Sequence, residues 1–242
     1  MTIPMNLDHC RAFIDCQLQP GTPGTIRPAP GGRLAITLSR LTGAGAWLVA
    51  EKLAPWLDQH APAEGCRWTV FDKDLVEKVL EDHNLPTKLA QFMPEDRVSQ
   101  IQDMMQEVLG LHPSSWTLAH QATETILKLA ELGNVILIGR GANVITARLP
   151  HVFHARLIGS LEKRTERIRE LLQLDQKAAA EFIEKTDRGR DRYVRQQYRA
   201  DLNDPMLYDL IINTDRIDCE AAAALIGEAA LRRREVAKTT PA

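Results

Sequence analysis

The stretch from Arg33 to Lys52, RLAITLSRLTGAGAWLVAEK, decides the fold of this 242-residue chain. Its first part is an apolar run that favours a β-strand, and its last part carries apolar residues at helical spacing. Between them, Gly43 and Gly45 allow backbone conformations and close approaches that a Cβ atom would hinder. A strand, a glycine turn and a helix in this order direct backbone N–H groups at an anion, so the stretch predicts a phosphate-binding loop.

This loop departs from the usual P-loop pattern, G-x-x-x-x-G-K-[ST], at the positions that carry its side-chain chemistry. The pattern requires a lysine for the β- and γ-phosphates and a hydroxyl group for magnesium, but here Gly45 is followed by alanine, tryptophan and leucine. The loop therefore either holds phosphate by other means or has lost that role. The nearest cation that could supply the missing charge is Arg40. The residues that we assign to the phosphate contact are Thr42, Gly43, Ala44, Gly45, Ala46 and Trp47.

The composition, with 44% hydrophobic and 26% charged residues, is that of an ordinary globular protein, and a net charge of −2 argues against general nucleic-acid binding. No apolar run approaches the roughly 18 residues of a membrane span. The N-terminus lacks the apolar region of a secretory signal, so the sequence predicts a cytoplasmic protein without a membrane partner. Its four cysteines lack metal-ligand spacing, and we interpret them as free thiols and predict no metal site. They are Cys10, Cys16, Cys66 and Cys219.

The order of the predicted elements indicates an N-terminal arm with a Pro/Gly-rich linker (1–32), one domain (33–236) and a tail (237–242). Residues 5–18 could form a short helix that docks on the domain. Within the domain, strands alternate with helices, which specifies an α/β fold with a mainly parallel sheet. After the strand that begins at Arg33, strands are predicted at 66–71, 134–139, 151–159 and 206–215.

Two strand ends carry candidate contacts for a phosphate acceptor. Asp72 and Lys73 follow the strand at 66–71, where Asp72 or Asp74 either caps the next helix or faces the ligand crevice. Arg140 lies between two glycines at the end of the strand at 134–139, a position poorly suited to packing and well suited to a phosphate. In open α/β sheets ligands lie beyond the carboxyl ends of the strands, so we assign Asp72, Lys73 and Arg140 to acceptor binding.

An arginine-rich helical segment follows at 174–201. Four of its arginines recur at steps of four, three and four, so they would share one helix face: Arg188, Arg192, Arg195 and Arg199. Such a face is usually only solvated, but like charges with few acids to pair them would repel, and a polyanion would relieve this repulsion. Asp187 and Arg190 lie elsewhere on the turn. The segment is predicted to close over the phosphates as a lid that excludes water.

Six segments together resemble the cytidylate kinase-like family of P-loop proteins. In chain order they are ITLSRLTGAGAWLVAEKLA, FDKDLVEKV, NVILIGRGA, RLIGSLEKRTERI, DRGRDRYV and YDLIINTDRI, within roughly residues 33 to 232. The resemblance implies a three-layer P-loop NTPase-like domain with a helical acceptor-binding insertion and an arginine-rich lid. It also implies ATP and Mg²⁺ as cofactors and a CMP-like acceptor.

Residue by residue, the resemblance makes Gly43 and Gly45 the phosphate loop and Arg140 an acceptor contact. The same resemblance places Arg164 near the base of the lid, and it places Asp187 with Arg190 inside the lid.

The chain departs from the family pattern within the loop. A typical cytidylate kinase has lysine at the position of Ala46 and a hydroxyl residue at that of Leu48. Relatives that lack the lysine often have an arginine close by, and that place is Trp47 in this chain.

The leading hypothesis is therefore a phosphotransferase that moves phosphate from ATP to a nucleoside monophosphate or similar small acceptor. In this hypothesis Arg40, Arg188, Arg190 and Arg192 neutralise the charge of the transferred phosphate, with Asp187 among the substrate contacts. The alternative is a catalytically inactive nucleotide-binding protein that serves as a sensor or partner. RNA binding through the arginine face is a weaker hypothesis, because no aromatic stacking platform accompanies that face.

Overall fold

The computed structural model describes residues 10, 12, 13, 15, 16, 33–61, 66–72 and 116–239. Most of the predicted acceptor-binding insertion, and Lys73, lie outside these residues. The helices of the described ranges are all too short or too polar to span a membrane. The elements are β1 (Ala35–Arg40), α1 (Ala46–His60), β2 (Thr69–Phe71), α2 (Trp116–Leu132), β3 (Val135–Ile138), α3 (Ala142–Ile145), β4 (Val152–Ile158), α4 (Leu161–Leu172), α5 (Gln176–Tyr198), a 3-10 helix (Pro205–Leu207), β5 (Leu210–Asn213) and α6 (Cys219–Thr239).

The five strands form one sheet in the order β2-β3-β1-β4-β5, and every neighbouring pair is parallel. The prediction of an α/β fold with a mainly parallel sheet is confirmed. β1 lies at the centre, where Leu38 pairs with Ile138 of β3 and with Ala155 of β4. Strands covered on both faces are apolar almost throughout, which explains the apolar run near the start of the stretch from Arg33 to Lys52.

Helices cover both faces of the sheet and complete the three layers. On one face, α1 and α6 pack on Ile36 and Leu38 of β1. On the other, α2, α3 and the end of α5 enclose a second apolar cluster that includes Ala35. Because β1 and β3 are parallel, the loops that follow them open at the same edge of the sheet, where the candidate residues lie.

Helices α4 and α5 form a hairpin with a small apolar cluster of its own. Ile168 of α4 packs with Ala179 and Ile183 of α5. Farther along α5, Val194 and Tyr198 enter the main core. The predicted arginine-rich helix is therefore one continuous element, and its C-terminal part is held by the body of the protein.

Several predicted ends of elements differ from the structure, and two of them have a clear consequence for the chain's course. The last strand, predicted to begin at residue 206, begins at Leu210, because Pro205–Leu207 form a 3-10 turn whose N-cap, Asp204, accepts a hydrogen bond from the N–H of Met206. Helix α6 continues to Thr239, into the stretch that the sequence predicted as a tail.

The prediction of four free cysteines is wrong for two of them. Cys16 and Cys66 form a disulfide with their Cα atoms 6.0 Å apart, whereas Cys10 is free and buried. Burial, with a smaller effect of nearby Asp72, raises the pKa of Cys10 to about 12. The arm reaches Cys66 because Phe13 packs edge-to-face on Phe71. Spacing along the sequence cannot reveal this tertiary contact.

Removing the disulfide is expected to destabilise the fold. The bond joins residues 50 positions apart, and closing a loop of this size typically contributes about 2–4 kcal/mol by restricting the unfolded chain. The variant Cys16→Ser should show this loss in urea denaturation, and a reductant should have the same effect on the unsubstituted protein. Cys219→Ser, which removes an unbonded cysteine, is the control. Equal stability of the two variants would contradict the prediction.

Candidate functional site

The loop between β1 and α1 has the backbone that its glycines allow. Gly43 has a φ of 81° and Gly45, the N-cap of α1, a φ of 80°, both in the left-handed region. The N–H of Ala44 donates to the carbonyl of Leu41 at 3.1 Å, which closes the turn. A Cβ at position 43 would lie 2.6 Å from the carbonyl oxygen of Arg164. Glycine is therefore required at Gly43 by both conformation and space.

The N-terminus of α1 follows this loop directly. Within the described ranges no side chain caps it, so the N–H groups of its first turn can bind an anion. Ala46 is buried and Leu48 half exposed. Trp47 packs against the cluster formed by α1 and α6, and its indole N–H, though buried, has no hydrogen-bond partner in the described part of the chain. The three positions therefore bring no charge to the loop.

Asp187 of α5 connects the loop to the arginine-rich helix. One carboxylate oxygen accepts hydrogen bonds from the N–H of Thr42 at 2.8 Å and from its hydroxyl at 2.5 Å. The other oxygen accepts from Arg164 at 2.8 Å. Arg190, one turn farther along α5, donates to the Thr42 hydroxyl at 2.7 Å and to Asp187 at 3.1 Å. One carboxylate thus holds the loop and two guanidinium groups together.

Two arginines of α4 hold the loop from the other side. Arg164 donates to the carbonyl of Thr42 at 3.1 Å. Arg167 donates to the carbonyl of Gly43 at 3.2 Å and to that of Thr214, beyond β5, at 2.6 Å. Sequence reasoning did not assign either residue to the site, although the resemblance placed Arg164 at the lid base. The available signal was their spacing of three residues just after a capped helix start.

Arg40 lies at the end of β1, and its guanidinium group covers the backbone of Gly139. Burial, and then the charge of Arg190, lower its pKa to about 9, while Asp72 and Asp187 oppose this shift. The group stays charged at neutral pH. It makes no hydrogen bond to any residue of the described chain, so its charge is offset only at a distance. A phosphate would supply the missing partner.

The predicted acceptor contacts lie at the ends of β3 and β2. Arg140 has a left-handed backbone with a φ of 56°, and its guanidinium carbon lies 5.5 Å from the ring centroid of Tyr193 on α5. Asp72 directly follows β2 and is close enough to Arg40 to affect its pKa. The structure thus puts Arg140 beside α5 and Asp72 near the end of β1.

The structure differs from the predicted arginine face in two respects: the face points to solvent and not to the loop, and part of its charge is paired with acids. All four of its members are exposed: Arg188, Arg192, Arg195 and Arg199. Arg188 pairs with Glu184, so acids do neutralise part of this face. In the described chain no hydrogen bond joins Arg188 or Arg192 to the loop. The physical reason is that α5 turns its i, i+3, i+7 stripe inward, which brings Asp187 and Arg190 to Thr42 instead.

The charges around the loop favour phosphate chemistry. Arg164, Arg167 and Arg190 donate to oxygen atoms of the loop or of Thr42, and Arg40 lies close by. Phosphoryl transfer demands positioning and neutralisation of charge more than covalent chemistry, and this arrangement of groups can provide both.

Two curated proteins are similar in sequence. Cytidylate kinase of Methanocaldococcus jannaschii is 27% identical over 162 residues, which cover 64% of this chain and 88% of that protein. Uronate isomerase of Corynebacterium glutamicum is 31% identical over 116 residues, which cover 48% of this chain. That second match spans only 22% of the length of the isomerase.

Solved structures support the fold alone. An uncharacterized protein from Eubacterium ventriosum superimposes with a TM-score of 0.56 at 21% identity, over 82% of this chain and 98% of that one. Shikimate kinase from Bacteroides thetaiotaomicron gives a TM-score of 0.44 at 14% identity, over 85% and 98% of the two chains. The second score is too low to support an argument.

The family comparison covers the site as well as the fold. The matched residues, 35–216, contain the loop, Arg140, both arginines of α4, and Asp187 with Arg190. Since the match extends over most of the sequence, this chain belongs to the cytidylate kinase-like family.

Proposed function

We propose that this protein is a phosphotransferase that moves phosphate from ATP to a nucleoside monophosphate or a similar small acceptor. Membership of the family supports a nucleotide kinase-like function. The observation that carries the proposal is the pair of cations beside the loop, Arg40 and Arg190. The charge of Arg190 disfavours that of Arg40, and Arg40 has no hydrogen-bond partner in the described chain. A nucleotide phosphate between the two arginines would reduce their repulsion and would accept hydrogen bonds from Arg40.

In this proposal the residues have separate tasks. The amides from Gly43 to the first turn of α1 bind phosphate oxygens of ATP, and Arg40 with Arg190 replace the missing lysine. Arg164 and Arg167 hold the loop in place, because they donate to its carbonyl oxygens. They are positioning residues.

The acceptor would bind at the adjoining strand ends. Arg140 would contact its phosphate, and Asp72 and Lys73 would contact the rest of the molecule. Binding of phosphate would weaken the hydrogen bond from Arg190 to Asp187, because the phosphate and the carboxylate compete for the same guanidinium group.

The residues present fit the phosphates of ATP in this way. Magnesium, when bound, would supply positive charge that neutralises the charge developing on the phosphates. Leu48 stands where a hydroxyl ligand is usual, and in the described ranges no three His, Cys, Asp or Glu side chains are grouped so that they could hold a metal. We therefore propose that the ion is held by the phosphates and by water, as Mg²⁺ commonly is.

A catalytically inactive nucleotide-binding protein is the second candidate. The observation in its favour is the replacement of the lysine by buried Ala46, next to a tryptophan that packs into the core. A protein of this kind would bind a nucleotide or phosphorylated small molecule through the same arginines and act as a sensor or partner.

A direct assay separates the two candidates. The full chain would be incubated with ATP, Mg²⁺ and each of several nucleoside monophosphates, and ADP release would be measured. We expect Arg40→Gln and Arg190→Gln to lower turnover by about 100-fold, the usual effect of losing a charge-stabilising donor. Arg232→Gln, on the exposed surface of α6, is the matched control.

Each outcome decides between the candidates. Absence of turnover together with ATP binding that Arg40→Gln weakens would favour the inactive binding protein. Absence of both turnover and binding would overturn both. Turnover that is equal in Arg40→Gln, Arg190→Gln and Arg232→Gln would refute the roles assigned to these cations.

We also propose a cytoplasmic location. The disulfide between Cys16 and Cys66 opposes this proposal, because disulfides persist mainly in oxidising compartments and the cytoplasm is reducing. Cell fractionation followed by non-reducing electrophoresis would report the location and the state of the disulfide together.

A further inference from the structure

A cavity of about 310 Å³ lies near the carboxyl ends of β4 and β5. It is on the face of the sheet opposite α1 and α6, because Arg156 and Ile158 alternate along β4 with residues that pack on those helices. The residues that line the cavity include Leu41, Arg156, Ile158, Asn203, Ile211 and Asn213. Within the described chain its lining contains one cation and no acid.

The cation, Arg156, is only 5% exposed. Its hydrogen bonds go to neutral oxygen atoms: the hydroxyl of Tyr208 at 2.8 Å, the side-chain oxygen of Asn203 at 3.0 Å and the hydroxyl of Ser39 at 3.3 Å. Burying a charge without a counter-ion is unfavourable, so a guanidinium group in these surroundings favours an anion beside it.

Within the described ranges, the acid nearest in effect to Arg156 acts on it only from a distance. Asp191 of α5 is close enough for the two charges to interact, but in the described ranges it forms no ion pair with Arg156. Burial raises the pKa of Asp191, and the attraction of Arg156 opposes that shift without overcoming it. The three hydrogen bonds of Arg156 leave two of its five N–H donors, the N–H at Nε and one at Nη2. A carboxylate can accept both.

We propose that this cavity binds a small organic monocarboxylate. The carboxylate would bind Arg156, the amides of Asn203 and Asn213 would offer further hydrogen bonds, and an apolar body would lie against Ile158 and Ile211. A single guanidinium group with two N–H donors left suits one carboxylate better than a phosphate monoester, whose charge at neutral pH is about −1.5 to −2. The volume is at the small end of ligand sites, so the ligand is no larger than a small drug-sized molecule.

This site adjoins the phosphate loop at Leu41 but uses a different cation. The loop site uses Arg40, Arg190 and backbone amides, whereas the cavity uses Arg156, which donates to none of them in the described structure. Binding of the carboxylate therefore does not depend on the proposed kinase-like function, and variants of one site can be tested against ligands of the other.

The probes for the test are isovalerate, a branched carboxylate, and isovaleramide, its uncharged isostere. Binding to the full chain would be followed by NMR titration. We expect isovalerate to bind at least tenfold more tightly than isovaleramide, and Arg156→Met to remove this difference. Arg232→Met and the loop variant Arg190→Gln should bind isovalerate like the unsubstituted protein. Ile211→Trp fills the cavity without changing Arg156 and should also abolish binding, which covers the case that Arg156→Met does not fold.

Several results would overturn the proposal. Equal affinity for the acid and the amide would show that charge plays no part. Unchanged isovalerate binding in Ile211→Trp would place the ligand elsewhere. Loss of isovalerate binding in Arg190→Gln, or its displacement by ATP, would make the cavity part of the nucleotide site and not a site of its own.

Discussion

The variant Asp187→Asn is expected to lose about 2–3 kcal/mol of unfolding free energy, because removing one partner of a buried charge network leaves the others uncompensated. The Asp187 side chain is only 20% exposed and accepts hydrogen bonds from Thr42, Arg164 and Arg190. Asparagine keeps the size but not the charge, so the two guanidinium groups would repel each other and nearby Arg40. Urea denaturation would measure the loss.

Inorganic phosphate should restore much of this stability. Phosphate and the carboxylate of Asp187 compete for the same cations, so phosphate should stabilise Asp187→Asn more than the unsubstituted protein. The control is Glu184→Gln, which breaks an exposed pair with Arg188 on the same helix and should change stability by less than about 1 kcal/mol. Equal losses in the two variants, or equal stabilisation by phosphate, would contradict the structure's assignment of Asp187 as the link between loop and helix.

The variant Gly43→Ala is expected to destabilise the fold by about 3 kcal/mol, the sum of a left-handed backbone for a non-glycine residue and a forced shift of the loop. The new Cβ would lie 2.6 Å from the carbonyl oxygen of Arg164, closer than real Cβ contacts allow. The loop would move away from α4 and weaken the hydrogen bond between Arg167 and the Gly43 carbonyl. Phosphate binding should fall with it.

A glycine on α5 provides the matched control. Gly189 lies in the helix, and a Cβ added there would have no neighbouring atom within 4 Å beyond the helix's own backbone. Gly189→Ala should therefore raise stability by about 0.5–1 kcal/mol through reduced freedom of the unfolded chain. Thermal denaturation of both variants, with and without phosphate, measures these effects. If Gly43→Ala were as stable as Gly189→Ala, the loop would not have the conformation described.

Much of the fold could be predicted from local pattern. The parallel sheet follows from strands and helices that alternate along the chain, and the position of the loop follows from Gly43 and Gly45 after an apolar strand. Arg140 is proposed as an acceptor contact because two glycines surround it at a strand end. Each of these inferences depends on neighbours in sequence, which is where a pattern carries information.

The sequence by itself determined the elements of this protein and the edge of the sheet where its loop opens, because periodicity and turn chemistry are local. Only the tertiary structure decided which arginines reach that loop. Helical spacing groups Arg188 with Arg192, and Asp187 with Arg190, but it cannot say which group faces inward. That choice depends on the apolar contacts of Val194 with the core. The disulfide of Cys16 and the hydrogen bonds from Arg167 to Gly43 and Thr214 also depend on the tertiary structure, since both join segments far apart in sequence.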